Sequence, residues 1–185
     1  MNRKVLIRTS KVTLRTLRIA DVTAEYIRGL NDPEVNRFLV NVRLRRQTQK
    51  TIESFIRTNL TSKDSLLLGI FKTSDNVLVG TVRISDISDF HRLCSVGICI
   101  FDKSSWGKGY AVESIKSACA FVFDHLGLHY IEAGVFQENR ASMRLFKNAG
   151  FNIQARFVDK YRYLDGFKPV VIWSKTNPGF NFRSL

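Results

Sequence analysis

The sequence predicts an α+β domain: a central mixed, mostly antiparallel sheet of about seven strands flanked by helices. Three observations lead there. Short apolar runs at residues 12–17, 66–72, 77–85 and 93–101 read as strands separated by tight turns. Between the later strands, Ile115, Ala118, Cys119, Val122 and Leu126 fall at helical spacing and mark one buried stripe. The order of elements is strand, helices, three strands, helix, strand, helix, two strands. It combines antiparallel hairpins with one strand-helix-strand unit, so the central sheet is mixed.

Residues 12–17 alternate as a half-buried strand, after which Asp21 offers an N-cap for a helix carrying Tyr26, Ile27 and Leu30. Asp32-Pro33-Glu34 reads as a second helix start, with a capping carboxylate, a proline at the first helical position and an acid near the positive dipole end. Ile52, Phe55, Ile56 and Leu60 mark one face of a third helix. Residues 66–72 and 77–85 form a hairpin around Ser74-Asp75-Asn76. The strand at 93–101 carries Gly97 in its middle, where a bulge is expected. After the Ile115 helix come a strand at 130–136 and a short helix from Asn139 to a Gly150 stop. Strands at 153–161 and 170–173 around Asp165-Gly166 close the sheet.

A length of 185 residues with 44% apolar content supports one domain, placed at residues 1–175, with 176–185 as a tail. No apolar run reaches the roughly 18 residues of a membrane helix, and the basic N-terminus lacks the apolar block of a signal peptide. A cytoplasmic protein with no membrane partner is expected. Cys94, Cys99 and Cys119 form no CxxC pair, which argues for buried reduced thiols and against a structural metal site. Cys99 stands apart because its strand can line an active site. Net charge is +13, and +8 of it lies in residues 1–60, a balance that suits a polyphosphate ligand as well as a polyanionic partner.

The segment Trp106-Gly107-Lys108-Gly109-Tyr110-Ala111 leads from the long strand into a helix. Two glycines let the backbone approach a ligand closely, and a helix start offers unpaired N–H groups with a positive dipole end, so a pyrophosphate fits there with Lys108 beside it. The segment is too short for GxxxxGK[ST], and Val112 occupies the last glycine position of GxGxxG. A second segment, Asn139-Arg140-Ala141-Ser142 through Gly150-Phe151, reads either as an ordinary capped helix or as a second ligand motif.

Together the two segments, in this order and about thirty residues apart across one strand, resemble the GNAT superfamily of N-acetyltransferases. Gly107-x-Gly109 with Ala111 is similar to the family's acetyl-CoA loop, and Asn139-x-x-Ser142 to Gly150-Phe151 resembles its second cofactor motif. Leu30-Asn31-Asp32-Pro33-Glu34-Val35, with the Trp106 segment and Glu113, resembles the branch of ribosomal-protein N-terminal acetyltransferases (RimJ/RimL-like). The resemblance implies a GNAT-like fold with acetyl-CoA as cofactor. It also implies a splay between the strand of Gly97 and that of Ile131, with the thioester near Ile98, Cys99 and Ile100, and Asn139 and Ser142 close by.

Two positions depart from the family's pattern. The glutamate often found two residues before the strand glycine is Ser95, and the tyrosine often used as acid is Phe146. Ser142 is then the expected acid and His91, which titrates near neutrality, the expected base; a solvated loop histidine and a plain capping pair stay open beside these roles. Asp86, Asp89 and Tyr163 are weaker candidates.

Two acceptor classes are open, a protein N-terminal α-amine and the amino group of a nucleotide-linked sugar. For the second, Arg43, Arg45 and Arg46 would bind a pyrophosphate through guanidinium forks, with Tyr163 also toward substrate. A non-catalytic nucleic-acid or ribosome-binding module is the rival of another class. It is disfavoured because no basic stripe interleaved with aromatics stands out. Monomer and homodimer both remain open.

Overall fold

The computed structural model describes residues 4–164 and 166–181. Among these, eight strands form one sheet: β1 (Leu6–Arg8), β2 (Val12–Thr16), β3 (Leu66–Lys72), β4 (Leu78–Ser88), β5 (Leu93–Ile100), β6 (Tyr130–Phe136), β7 (Asn152–Tyr163) and β8 (Gly166–Thr176). Their order across the sheet is β1-β2-β3-β4-β5-β6-β8-β7, and every neighbouring pair is antiparallel except β5 and β6. The α+β class and the mixed sheet are as expected. The eighth strand is β1, whose three residues, two of them exposed, carry too little alternation to be read as a strand.

Five helices accompany the sheet: α1 (Ala24–Asn31), α2 (Val40–Arg43), α3 (Gln49–Thr61), α4 (Tyr110–Asp124) and α5 (Arg140–Asn148). Thr23, not Asp21, caps α1 by accepting from Tyr26 N at 3.2 Å. Asp21 is engaged elsewhere, its carboxylate gripping the Arg15 guanidinium at 2.6 and 2.8 Å. No helix starts at Asp32-Pro33-Glu34. Asp32 ends α1 in extended geometry, accepts from Glu34 N at 2.9 Å and pairs with Lys103 at 2.8 Å, so the segment is a turn pinned to the chain just beyond β5. Helix α2, a single turn, follows it.

Two cores lie on opposite faces of the sheet. Val82, Ile84, Cys94, Val96, Ile131, Ala133, Val135, Val171 and Trp173 pack against Ile115, Ala118, Cys119 and Val122 of α4 and Leu145 and Phe146 of α5. Leu17, Leu67 and Phe71 pack on the other face against Tyr26 and Leu30 of α1 and Ile52 and Ile56 of α3. Alternation along the strands therefore sorts side chains: Cys94 and Val96 of β5 face α4, while Ser95, Gly97 and Cys99 face the α1 side.

The feature that positions a site is the short parallel pairing of β5 and β6. It covers Leu93↔Tyr130, Cys94↔Ile131 and Ser95↔Glu132 and then stops, so the strands part toward their C-terminal ends. The bulge expected at Gly97 is absent: Gly97 stands in register with Arg83, and the irregularity lies between Ser85 and Ser88 of β4. Strands β7 and β8 extend well beyond 153–161 and 170–173 into a long hairpin, whose turn residue Asp165 lies outside the described residues. Strand β8 ends at Thr176, and Asn177 then bonds back to His129 O at 2.8 Å, so the first part of the expected tail is packed. Residues 182–185 lie outside the described residues.

Candidate active site

The parted strands leave backbone groups that the sheet does not use. Phe101 N donates to Val79 O at 3.0 Å, and in an antiparallel ladder alternate residues bond the same neighbour. Cys99 and Gly97, at the same parity as Phe101, thus turn their N–H and C=O toward β4, whereas Ile98 and Ile100 turn theirs toward the opening. The Ile100 carbonyl accepts from the indole N–H of Trp106 at 2.9 Å, which leaves its N–H and both groups of Ile98 facing the gap. The same parity argument applied to Gln137 N bonding Pro169 O places the N–H and C=O of Gly134 on the gap side of β6. An extended amide chain can pair with such edges as a further strand would.

At the wide end of the gap lies the loop into α4. Gly107 and Gly109 both adopt positive φ (74° and 85°), the left-handed region that favours glycine, and Gly109 is the N-cap of α4 with no side chain over the helix end. The N–H groups of Tyr110, Ala111 and the next residue are therefore unsatisfied within the helix and directed outward with the positive end of its dipole. Trp106, Lys108 and both glycines are exposed and Tyr110 and Ala111 half-buried. The donor set and the lack of side-chain cover fit a pyrophosphate.

Sequence reading missed how this loop is held. Glu113, placed near the dipole by its position, reaches across to the turn between β1 and β2, accepting from Lys11 N at 2.9 Å and Ser10 Oγ at 3.3 Å. Burial raises its carboxyl pKa, but the bonds from Thr9, Lys11 and Ser10 outweigh that and hold it below the ordinary value. Lys11 Nζ lies 3.4 Å from Lys108 O, a second cation at the loop. On its other flank, Lys103 binds Asp32 and Glu34, tying the loop to the end of α1. These links join residues roughly 70 to 100 positions apart, which no local pattern signals.

At the other wall, β6 runs through Phe136 to Asn139, the N-cap of α5. Asn139 spends its side-chain oxygen on Ser142 N at 3.1 Å, so the capping role is realised. The half-buried Ser142 hydroxyl has no partner among the described residues and stays available. Phe146 is buried in the core with its ring 5.1 Å from that of Phe151 and offers no proton.

The structure does not gather every expected residue. His91 sits exposed in the turn before β5, bonded through its N–H to Ser88 Oγ and stacked edge-on with Phe90. Roughly 17 Å of strand separates Leu93 from Ile98, so His91 lies at the closed end, away from the opening. Asp86 and Asp89 share that exposed end. Cys99 directs its side chain into the second core beside Tyr26, where burial pushes its thiol up to about 12; it is a neutral packing residue. Arg43, Arg45 and Arg46 also stand apart from the gap. Arg43 bonds Pro33 O, and Arg46 lines an open depression on the flank of α1 with Arg28, Asn31, Asp32 and Gln47, where no residue of β5 or β6 takes part.

Tyr163 is the substrate-side residue that does reach the opening. Its hydroxyl donates to Arg37 O at 2.5 Å and its ring lies 5.6 Å from Phe136. Phe38 and Tyr161 complete a ring of aromatics around Phe136, at 6.1 and 6.3 Å. Lys168 stands over Tyr163 and bonds Glu138, next to the α5 cap. The hairpin also interleaves Arg156, Phe157, Lys160, Tyr161 and Arg162, so an aromatic and basic stripe exists that sequence reading passed over.

Comparison with known proteins agrees with this geometry. The family model described as an acetyltransferase (GNAT) domain matches residues 11–152. The uncharacterized N-acetyltransferase YoaA of Bacillus subtilis is 29% identical over 163 residues, covering 87% of this chain and 90% of its own. Among solved structures, a GNAT-family acetyltransferase from Bacillus anthracis superposes with a TM-score of 0.81 at 18% identity, covering 93% of this chain and 98% of its own. Spermidine N-acetyltransferase from Vibrio cholerae, in complex with CoA and spermine, gives 0.80 at 21% identity, covering 91% and 96%. With the parted strands and the glycine-bearing helix start in place, the chain belongs to the GNAT acetyltransferase family, and its acetyl donor is acetyl-CoA.

Proposed function

We propose that this enzyme acetylates the primary amine of an acceptor that also carries negative charge, a nucleotide-linked amino sugar being the class that fits best. The observation that carries this is the mouth of the opening on the α1 side. There Phe38, Phe136, Tyr161 and Tyr163 supply flat apolar faces while Arg37, Lys160 and Lys168 supply cations. Aromatic faces suit a sugar or base, and cations suit a pyrophosphate. The phosphate contacts expected of Arg43, Arg45 and Arg46 are reassigned to Arg37 and Lys168, because the former three do not face the opening.

Acetyl-CoA supplies the activated acyl group, and the chain's contribution is to bind and orient it. In this reading the N-terminus of α4 and Lys108 hold the pyrophosphate, Ile98, Ile100 and Gly134 pair with the amides of its arm, and the unpartnered Ser142 hydroxyl donates to the leaving thiolate. A gap-facing N–H that meets the developing oxyanion contributes about 3 kcal/mol in comparable sites.

A protein N-terminal amine is a second reading, favoured by the outer edge of β7, which has no partner strand among the described residues and can take an extended peptide. A polyamine, bound by the Vibrio cholerae neighbour, fits less well here, since it would enter past Arg37, Lys160 and Lys168 on a chain of net charge +13. Thiol release from acetyl-CoA decides between them when a panel of UDP- and dTDP-linked amino sugars, short peptides with free N-termini and spermidine are run side by side. Turnover restricted to peptides would replace the sugar reading, and turnover of spermidine above all would overturn both.

A further inference from the structure

Two glycines face each other across the splayed strands on the α1 side of the sheet, and nothing in the fold requires either. Extending the register Ser95↔Glu132 by two residues sets Gly97 opposite Gly134, both exposed. Neither has positive φ. A Cβ on Gly97 would meet no atom within 4 Å, and one on Gly134 would make only ordinary contacts of 3.7 to 3.9 Å with Ile172 and Tyr161. Glycine weakens a strand interior, and where neither crowding nor backbone geometry calls for it, close approach of another molecule is the physical reason that remains.

One pleat below this pair lies Glu132. It alternates with Ile131 and Ala133, which are buried toward α4, so its carboxylate is on the same face as the two glycines. It is half-buried and makes no hydrogen bond or ion pair among the described residues. Its register partners are Ser95 on β5 and Ser174 on β8. Ser95 is the position where the family pattern places a glutamate, so the carboxylate lacking there is present one strand over, within about 5 Å.

We propose that Gly97 and Gly134 keep a window open in the sheet, through which the acceptor amine reaches the thioester, and that Glu132 takes up the proton the amine releases. The proposal rests on the acetyl-transfer reading but on neither acceptor class. In the step, the amine lone pair forms the new C–N bond, the C–S bond breaks with its electron pair passing to sulfur, and the nitrogen's surplus proton goes to the Glu132 carboxylate. The thiolate takes its proton from solvent, with the Ser142 hydroxyl passing one proton on as it receives another.

The test uses the full chain with acetyl-CoA and 2-aminoethanol at high concentration, a primary amine with neither sugar nor phosphate, so the sugar reading can fail without affecting it. Gly97→Val suits a strand and has room, so the melting temperature and acetyl-CoA affinity should hold while thiol release falls to background. Glu132→Gln should lower kcat at least about 100-fold with little change in KM or acetyl-CoA affinity. Adding Ser95→Glu to Glu132→Gln should restore a large part of kcat, because the carboxylate returns to the same face; a structural role for Glu132 predicts no such recovery. The proposal is overturned if Gly97→Val still turns over the amine, if it loses acetyl-CoA instead, if the Glu132 variant keeps its kcat or the double variant recovers nothing, or if the parent protein with acetyl-CoA bound cannot use this small amine at all.

Discussion

The two halves of the sheet are built differently. Strands β2 to β4 are covered on both faces, by α4 on one and by α1 and α3 on the other, and the cofactor loop beyond β5 is tied down at Glu113, Lys11 and Lys103. Strands β6 and β8 pack against α4 and α5 on one face; on the other, the buried Val170 and Ile172 lie beside a rim of exposed aromatic and basic residues, many of them from β7, whose side chains are almost all exposed. The difference matches two ligands of different demands. A donor whose chemistry never varies is served by a site fixed in advance by packing. The acceptor meets an open surface whose side chains can be exchanged with little cost to the core.

The largest effect should come from the packed half. Gly109→Trp places a bulky side chain at the helix end where φ is 85°, in space that holds only the tip of Lys11 at 3.3 Å. Acetyl-CoA affinity measured by calorimetry should fall at least about 100-fold, equivalent to about 3 kcal/mol. The fold should persist, since left-handed strain at one residue costs only about 1–2 kcal/mol. Unchanged affinity would remove the loop from the donor site.

This asymmetry also decides what the sequence could reveal. The cofactor loop was legible because its chemistry is local: two glycines, a helix start and Lys108 are contiguous. The order of elements along the chain followed from periodicity, and the splay was implied by the resemblance that segments 106–111 and 139–151 carry. The acceptor face was not legible in the same way, because it is assembled from distant segments: Arg37 and Phe38 after α1, Phe136 at the end of β6, Tyr163 on the hairpin. Arg43, Arg45 and Arg46 looked like a site because they are close together in the chain, whereas the fold sends them different ways, Arg43 to the Pro33 carbonyl and Arg46 to the flank of α1. Glu132 did carry a signal, a charged residue alternating with Ile131, Ala133 and Val135, and alternation alone assigns it to the face away from α4. Asp21 and Asp32 had the residue type of a cap, yet each carboxylate was taken by a cation from another segment.

A second test asks whether stability resides in the packed half. The Arg15–Asp21 pair bridges β2 to the segment before α1, with the Asp21 side chain only 9% exposed. Burial raises the carboxyl pKa, but the hydrogen bonds from Arg15 and Arg18 win and hold it below its ordinary value. Asp21→Asn should therefore cost about 1.5–3 kcal/mol near neutrality, read from urea unfolding. Because the folded pKa is the lower one, that contribution is complete above the unfolded value of about 3.9 and is lost as pH falls through the folded value, so parent and variant should converge in acid. A gap that persists there would assign the loss to packing.

In the open half the expected effects are smaller and fall on the acceptor. Tyr163→Phe removes the bond to Arg37 O but keeps the ring against Phe136. Loss of one such hydrogen bond at an exposed site is worth about 1 kcal/mol, so KM for the acceptor should rise roughly fivefold with acetyl-CoA affinity unchanged. An effect on the donor instead would show that the hairpin belongs to the cofactor half.

The smallest expected effect bears on what holds the donor loop, and two physical terms oppose each other there. Glu113→Gln removes a negative charge close to a site for an anion, which by itself tightens binding. It also weakens the bonds to Lys11 N and Ser10 Oγ that fix the β1–β2 turn against α4, and it withdraws an acid from the positive end of the helix, an effect of about 0.3–1 kcal/mol. The carboxylate sits beside Lys11, so much of its repulsion is already offset, and loss of positioning should prevail, weakening acetyl-CoA about threefold. Salt separates the two contributions. Exposed charges are screened over about 3 Å at 1 M ionic strength, whereas a misplaced loop stays misplaced. If the threefold loss survives in 1 M salt, the brace acts by position; if the variant binds more tightly at low salt and equally at high salt, the loop needs no brace and the packed half is less preorganised than its hydrogen bonds imply.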